Sequence, residues 1–136
     1  NISFSPTYNL TTGNFTFNVW VNNTKTITTL NPVIITSSSD ENLVGWFFWS
    51  KGSAGSNNTR FYLSNWSGDQ RYVGTSDNTL KTNYTQMFTV VQNDTNLVIY
   101  VDRVLNGSIS LGGGGNSTIA QNSYGIKIGR SFDRSR

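Results

Sequence analysis

The sequence of 136 residues contains no cysteine and no histidine. The chain therefore cannot form disulfides, histidine- or cysteine-based metal sites, or the serine–histidine and cysteine–histidine pairs of nucleophilic catalysis. Small extracellular modules of animals are often dense in disulfides, so the lack of cysteine disfavours that class. It fits an archaeal, bacterial or viral surface protein whose core is large enough to be stable without cross-links.

Charged residues are also scarce, at 12% of the sequence. The ten basic residues are scattered along the chain except for Arg130, Arg134 and Arg136, which cluster at its end. A nucleic-acid site needs a basic stripe or patch, which this distribution does not offer. We interpret the terminal arginines as a solvated tail and expect no nucleic-acid partner.

Carboxylates are too few and too scattered for glycoside hydrolysis, which needs two of them flanking the scissile bond. Glu41 is the only glutamate, and the six aspartates fall mostly in predicted loops. We therefore expect no enzymatic activity and assign no catalytic residues.

No apolar run approaches the roughly 18 residues of a membrane-spanning helix, so we expect no membrane span. The length indicates a single domain over residues 1–136. Since the chain begins with Asn1 and shows no signal peptide, we expect it to be a processed or excerpted piece of a longer protein.

Acceptor triplets for N-glycosylation, Asn-X-Ser/Thr, are the most abundant motif. With 18 asparagines and 34 serines and threonines in the sequence, chance would produce about 4.5 triplets. Ten are present, at Asn1, Asn9, Asn14, Asn22, Asn57, Asn65, Asn83, Asn93, Asn106 and Asn116. The excess predicts a glycoprotein that is secreted or displayed on a cell or virion surface, although an Asn-, Ser- and Thr-rich composition also produces some triplets by accident.

Apolar residues alternate with polar ones in several short runs, and no helical stripe is visible. The clearest run, 15–21, predicts a strand with Phe15 and Phe17 facing inward and Thr16 and Asn18 facing outward. Further β-rich runs lie at 32–36, 44–49, 60–63, 70–74, 87–91, 96–101, 108–111 and 124–129. Many short strands separated by turn residues are typical of an all-β sandwich or barrel.

The order of four motifs resembles the laminin-G-like branch of the concanavalin A-like lectin/glucanase superfamily. These motifs are Phe-Thr-Phe-Asn-Val-Trp-Val at 15–21, Phe-Tyr-Leu at 61–63, Met-Phe-Thr-Val-Val at 87–91 followed by Leu-Val-Ile-Tyr-Val-Asp-Arg at 97–103, and Ile-Lys-Ile-Gly-Arg at 126–130. The resemblance implies a jelly-roll sandwich of two curved antiparallel sheets.

Three features depart from that family pattern. Gln86 and Met87 stand where the family has Trp-His, and Arg103 replaces the glycine that usually follows Asp102. Such domains also continue past the last motif with one more strand, whereas this chain ends at Arg136. We expect another segment or subunit to supply that strand, since an open sheet edge invites strand addition and self-assembly.

Ligand candidates are few. Carbohydrate recognition needs an exposed aromatic face, for which the candidates are Trp66, Trp20 and Tyr72. The resemblance implies that calcium is possible at the sandwich rim, with Asp40 and Asp77 as candidates, although ordinary turn carboxylates are the simpler interpretation. We expect most of the aromatic residues to build the core, notably Phe15, Phe17, Phe48, Phe88 and Tyr100. The exposure of Tyr62 stays open, and Trp46 and Trp49 fall on opposite faces of one predicted strand.

Two functions follow from these features. The abundant acceptor triplets and the apparently incomplete sheet indicate a non-catalytic structural subunit or domain of a glycosylated extracellular assembly, such as a filament, a sheath or a virion surface. The family resemblance leaves open a lectin-like adhesion module that binds carbohydrate or a partner protein.

Overall fold

The computed structural model describes residues 10, 14–24, 33–38, 45–53, 56–64, 70–93, 95–111 and 125–129. Within these ranges it contains strands and turns only. The strands are β1 (Phe15–Asn23), β2 (Val33–Ser38), β3 (Gly45–Ser53), β4 (Ser56–Ser64), β5 (Gln70–Gly74), β6 (Tyr84–Asn93), β7 (Asn96–Val101), β8 (Val104–Ser110) and β9 (Lys127–Ile128).

The strands form two antiparallel sheets, one in the order β1-β6-β7-β8 and the other in the order β5-β4-β3-β2-β9. The prediction of an all-β jelly-roll sandwich is confirmed. Strands β6 and β8 begin earlier than the runs predicted at 87–91 and 108–111. The extra length of β6 comes from polar pairing, because Tyr84 and Thr85 lie opposite Asn23 and Asn22 of β1. Such pairing leaves no apolar alternation in the sequence to reveal it.

Aromatic rings join the two sheets across the core. The ring of Phe17 in β1 lies 5.4 Å from that of Trp46 and 5.6 Å from that of Phe61 in the facing sheet. Phe48 and Phe88, both fully buried, make a second contact between the sheets at 5.4 Å. Aromatic pairs at these separations stabilise a core beyond the effect of their buried area.

The facing of β1 agrees with the prediction from its alternation. Phe15 and Phe17 pack against the core, whereas Thr16 and Asn18 are exposed on the outer face. The assignment of Tyr100 to the core was wrong. The inner positions of β7 are taken by Leu97, Ile99 and Val101, so the two-residue period turns the half-buried Tyr100 outward.

A two-residue turn joins β7 to β8. Asp102 and Arg103 both have positive φ, at 49° and 72°, as a type I′ hairpin turn requires. Arg103 therefore occupies a conformation that glycine adopts more easily. Asp102 holds the turn against β6, because its backbone N–H donates to the Met87 carbonyl and its carboxylate accepts from the Met87 N–H, each at 2.9 Å.

Gln86 organises the loop before β6. Its side chain is 2% exposed, accepts a hydrogen bond from the Lys81 N–H at 2.7 Å and donates to the Thr79 carbonyl at 3.0 Å. The buried amide thus satisfies both of its polar ends, which makes this loop a well-defined part of the fold.

A bulge in β8 brings the two sheets close together at one side. Ile99 pairs with Gly107 and Tyr100 with Leu105, which leaves Asn106 as an extra residue. Gly107 faces the edge of the other sheet, where a Cβ atom would overlap the carbonyl oxygen of Gly74. Only glycine fits at this approach.

Replacing Gly107 by alanine should lower the free energy of unfolding by about 1–3 kcal/mol, because the added methyl group forces the strands apart. Urea unfolding of the purified domain measures the change. Leu105→Ala is the matched control, since Leu105 lies on the same strand and is 58% exposed. Its change should stay within about 0.5 kcal/mol, and equal losses in both variants would argue against the close approach.

Candidate functional site

Four of the five acceptor asparagines whose side chains the structure describes are exposed. Asn14, Asn22, Asn83 and Asn93 are exposed, and Asn106 is half-buried. Asn1, Asn9, Asn65 and Asn116 lie outside the described residues, and of Asn57 only the backbone in β4 is described.

The hydroxyl residue of each of these five triplets is exposed as well. In a strand, side chains two residues apart share a face, so Asn22 and Thr24, at the end of β1, point to the same surface. The five hydroxyl residues are Thr16, Thr24, Thr85, Thr95 and Ser108. The triplet at Asn57 differs, because Thr59 is fully buried. A glycosylating enzyme would therefore find both ends of four triplets, those at Asn14, Asn22, Asn83 and Asn93, exposed on the folded chain.

At Asn93 the amide is held by its oxygen. The Asn93 Oδ1 atom accepts hydrogen bonds from the N–H groups of Thr95 and Asn96, at 3.4 and 2.9 Å. These bonds close the turn between β6 and β7 and do not use the side-chain nitrogen, the atom that carries an N-linked sugar.

The side chain of Asn106, in the bulge of β8, is likewise held through its oxygen atom. Its Oδ1 atom accepts from the Ser76 N–H at 2.8 Å and from the Thr79 hydroxyl at 3.4 Å. The extra residue of a bulge points its side chain away from the regular alternation, and here it reaches the loop that follows β5. Asn106 therefore has a structural role that the triplet motif alone does not reveal.

The carbohydrate-stacking candidates do not come together. Trp20 is 67% exposed on the outer face of the four-stranded sheet, whereas Tyr72 is 43% exposed on the outer face of the five-stranded sheet. Trp66 lies outside the described residues. The two described candidates thus define two separate surfaces on opposite sides of the sandwich.

Around Tyr72 lies a group that we call the outer aromatic cluster, formed by Phe47, Trp49, Tyr62 and Tyr72. Tyr62 stacks between Phe47 and Tyr72, with ring centroids 4.6 and 4.8 Å away. Trp49 meets both Phe47 and Tyr62 edge-on, at 5.6 and 5.2 Å. The sequence does carry a signal for this cluster, because Phe47, Trp49 and Tyr62 alternate with the core residues Phe48 and Phe61. Only Tyr72 of the cluster was predicted from the sequence as a candidate.

Arg60 adds a charge to this cluster. Its guanidinium lies 4.8 Å from the centre of the Tyr72 ring, and its Nη1 atom donates to the Tyr62 hydroxyl at 3.2 Å. Within the outer aromatic cluster Tyr72 is the exposed ring. Trp49 is half-buried, and Phe47 and Tyr62 are only 1% and 7% exposed. The surface therefore presents one flat ring beside a hydrogen-bond donor, an arrangement that suits a sugar or a polar partner.

A groove of about 470 Å³ runs between β5 and β8, and we call it the edge groove. Within the described strands, β5 and β8 are each the last strand of their sheet. Gly74 and Gly107 meet at the groove, and Arg71 crosses between the sheets to donate to the Leu111 carbonyl at 3.2 Å. Backbone groups on the open sides of edge strands can pair with an added strand.

The calcium candidates receive no such support. Asp77 accepts a hydrogen bond from the Asn58 side chain at 3.0 Å, and Asp40 lies outside the described residues. Among the residues that the structure describes, no three potential metal ligands group together.

The family model of laminin G type, described as the Concanavalin A-like lectin/glucanases superfamily, matches the chain over residues 1–136. The resemblance drawn from the motifs is confirmed. No curated protein matches the chain. In the described part of the chain, no helix has the length and apolar character needed to cross a membrane.

The structural role of Asn106 can be separated from its role as an acceptor. In unglycosylated protein, Asn106→Ala should lower the free energy of unfolding by about 0.5–1.5 kcal/mol, because the Ser76 N–H loses its acceptor. Ser108→Ala removes the triplet and keeps this contact, so its effect should stay within about 0.5 kcal/mol. Urea unfolding compares the two, and equal stabilities would rule out the anchoring role.

Proposed function

The chain belongs to the Concanavalin A-like lectin/glucanases superfamily, and on that premise we propose that it is a non-catalytic, heavily N-glycosylated structural subunit or domain of an extracellular assembly. A filament, a sheath or a virion surface would suit such a subunit. Laminin-G-like domains are typically extracellular modules that bind carbohydrate or partner proteins, which is compatible with this role.

The observation that carries the proposal is the exposure of both ends of four acceptor triplets, those at Asn14, Asn22, Asn83 and Asn93. The triplets at Asn106 and Asn57 differ, because Asn106 is half-buried and Thr59, the hydroxyl residue after Asn57, is fully buried. Burial of Thr59 argues against modification of Asn57 in the folded chain. Covalent sugars would also supply the solubility that surface charge usually supplies.

The edge groove supports the assembly part of the proposal. A strand from another copy could pair with β5 or β8, the edge strands that line it. Strand addition gains its affinity from backbone hydrogen bonds, so it needs no specific side-chain motif. Gly74 and Gly107 line the groove and carry no side chains that could obstruct an incoming strand.

We propose a non-catalytic role because the chain has few carboxylates. Some members of the superfamily are glucanases, which act through paired carboxylates. This chain has a single glutamate, Glu41. The two described aspartates have other tasks, since Asp77 contacts Asn58 and Asp102 caps the turn after β7.

Two measurements on protein from its natural source test the proposal: peptide mapping tests the glycosylation, and light scattering tests the assembly. We expect sugar on Asn14, Asn22, Asn83 and Asn93, since these acceptors are exposed, and particles larger than a monomer at micromolar concentration. Bare asparagines would overturn the glycosylation, and a stable monomer would overturn the assembly.

A pair of variants locates the assembly contact. Ser110→Lys places a charge in the edge groove and should reduce the assembled fraction, because charged side chains on edge strands oppose strand addition. Thr82→Lys introduces the same charge at an exposed position in the loop before β6 and should assemble like the wild type. Equal assembly of both variants would exclude the edge groove as the contact.

The alternative is a lectin-like adhesion module, and the exposed ring of Tyr72 beside Arg60 favours it. On a glycan array, deglycosylated protein would then bind selected sugars at micromolar strength. Tyr72→Ala should weaken that binding about tenfold because the stacking surface is lost, while Tyr72→Phe keeps the ring and should retain most of it. No binding by the wild type, together with assembly, would favour the structural subunit.

A further inference from the structure

Trp20 is an unusual surface residue. Its side chain is 67% exposed in the middle of β1, and it makes no hydrogen bond or ring contact with another described residue. Its cross-strand neighbour is Met87, which is half-buried. A large apolar ring left in water is unfavourable, so such a ring commonly marks a contact surface.

Asn22 lies two residues beyond Trp20 on the same strand. Both side chains are exposed, and the register places Asn22 opposite Thr85 on the same outer face as Trp20 and Met87. Positions two residues apart in a strand are roughly 7 Å from each other and point the same way. The side-chain nitrogen of Asn22 therefore opens onto the surface that carries the indole ring.

We propose that the first sugar of an N-linked glycan on Asn22 packs against the Trp20 ring and covers it. This inference rests on the glycosylation in the proposed function and specifies what one glycan does. The C–H groups of a pyranose ring form an apolar face, and packing them on an indole removes apolar surface from water. The covalent link holds the sugar within reach, so little entropy of association is lost.

Of the acceptor asparagines, Asn22 alone has an aromatic residue two positions before it. The residues two positions before the other acceptors are never aromatic, and they include Val91 before Asn93 and Lys81 before Asn83. Asn22 is thus the one triplet of the ten that follows an aromatic residue at this spacing. Asn93, exposed at the end of β6 and preceded by half-buried Val91, provides a matched comparison.

A mutant cycle in a glycosylating host tests the contact. Thr24→Ala removes the acceptor triplet and leaves both Asn22 and Trp20 in place. Loss of this glycan should lower the Tm by about 2–5 °C when Trp20 is present and by much less when it is alanine. Thr95→Ala removes the glycan at Asn93 and should shift the Tm equally in the Trp20 and Trp20→Ala backgrounds.

Peptide mapping of Asn22 in the same samples separates two kinds of failure. A bare Asn22 would overturn the glycosylation of this site, and with it the contact. An occupied Asn22 whose loss shifts the Tm equally in both backgrounds would overturn only the contact.

NMR of the glycosylated wild type provides a readout that does not depend on how Trp20→Ala folds. Protons of the first sugar should move upfield because they lie over an aromatic ring. Unshifted sugar protons on an occupied Asn22 would contradict the proposal. Light scattering gives a second contradicting outcome. If the glycosylated wild type is assembled and the glycosylated Trp20→Ala variant is a monomer, a second copy of the chain covers the ring instead of the sugar.

Discussion

The packing of Phe17 between the sheets is the constraint on which the surfaces of this domain depend. Its ring lies within 5.4–6.3 Å of three aromatic rings of the five-stranded sheet. Because strand side chains alternate, an inward Phe17 requires Asn18, Trp20 and Asn22 to face outward. The core of the sandwich therefore determines which asparagine is presented for modification and which ring stands beside it.

The two outer faces of the sandwich have different chemistry. On the four-stranded sheet, the outer face carries Trp20 and the acceptor Asn22. On the five-stranded sheet, it carries the outer aromatic cluster with Arg60. In the proposed function, sugars cover one face, while the edge groove between the sheets remains open to another strand. This division would allow a weakly charged chain to be soluble and yet able to associate.

Much of the fold could be predicted because local alternation and burial agree. The run at 15–21 indicated both the strand and its facing, and the motif order indicated the superfamily. Prediction failed where a local pattern was not decisive. Tyr100 resembles a core residue by type, but its neighbours Ile99 and Val101 occupy the inner positions. The outer aromatic cluster was missed because the run at 44–49 is apolar on both faces, so its alternation does not show which rings face the core.

The sequence by itself determined the all-β class, the acceptor triplets, the scarcity of catalytic groups and the spacing of Trp20 and Asn22, since each depends on composition or on neighbouring residues. Only the tertiary structure decided which strands lie side by side. That arrangement places Gly107 against Gly74, directs Asn106 toward Ser76 and stacks Tyr62 on Tyr72. These contacts join residues distant in the chain, and strand order and register, which no local pattern encodes, bring them together.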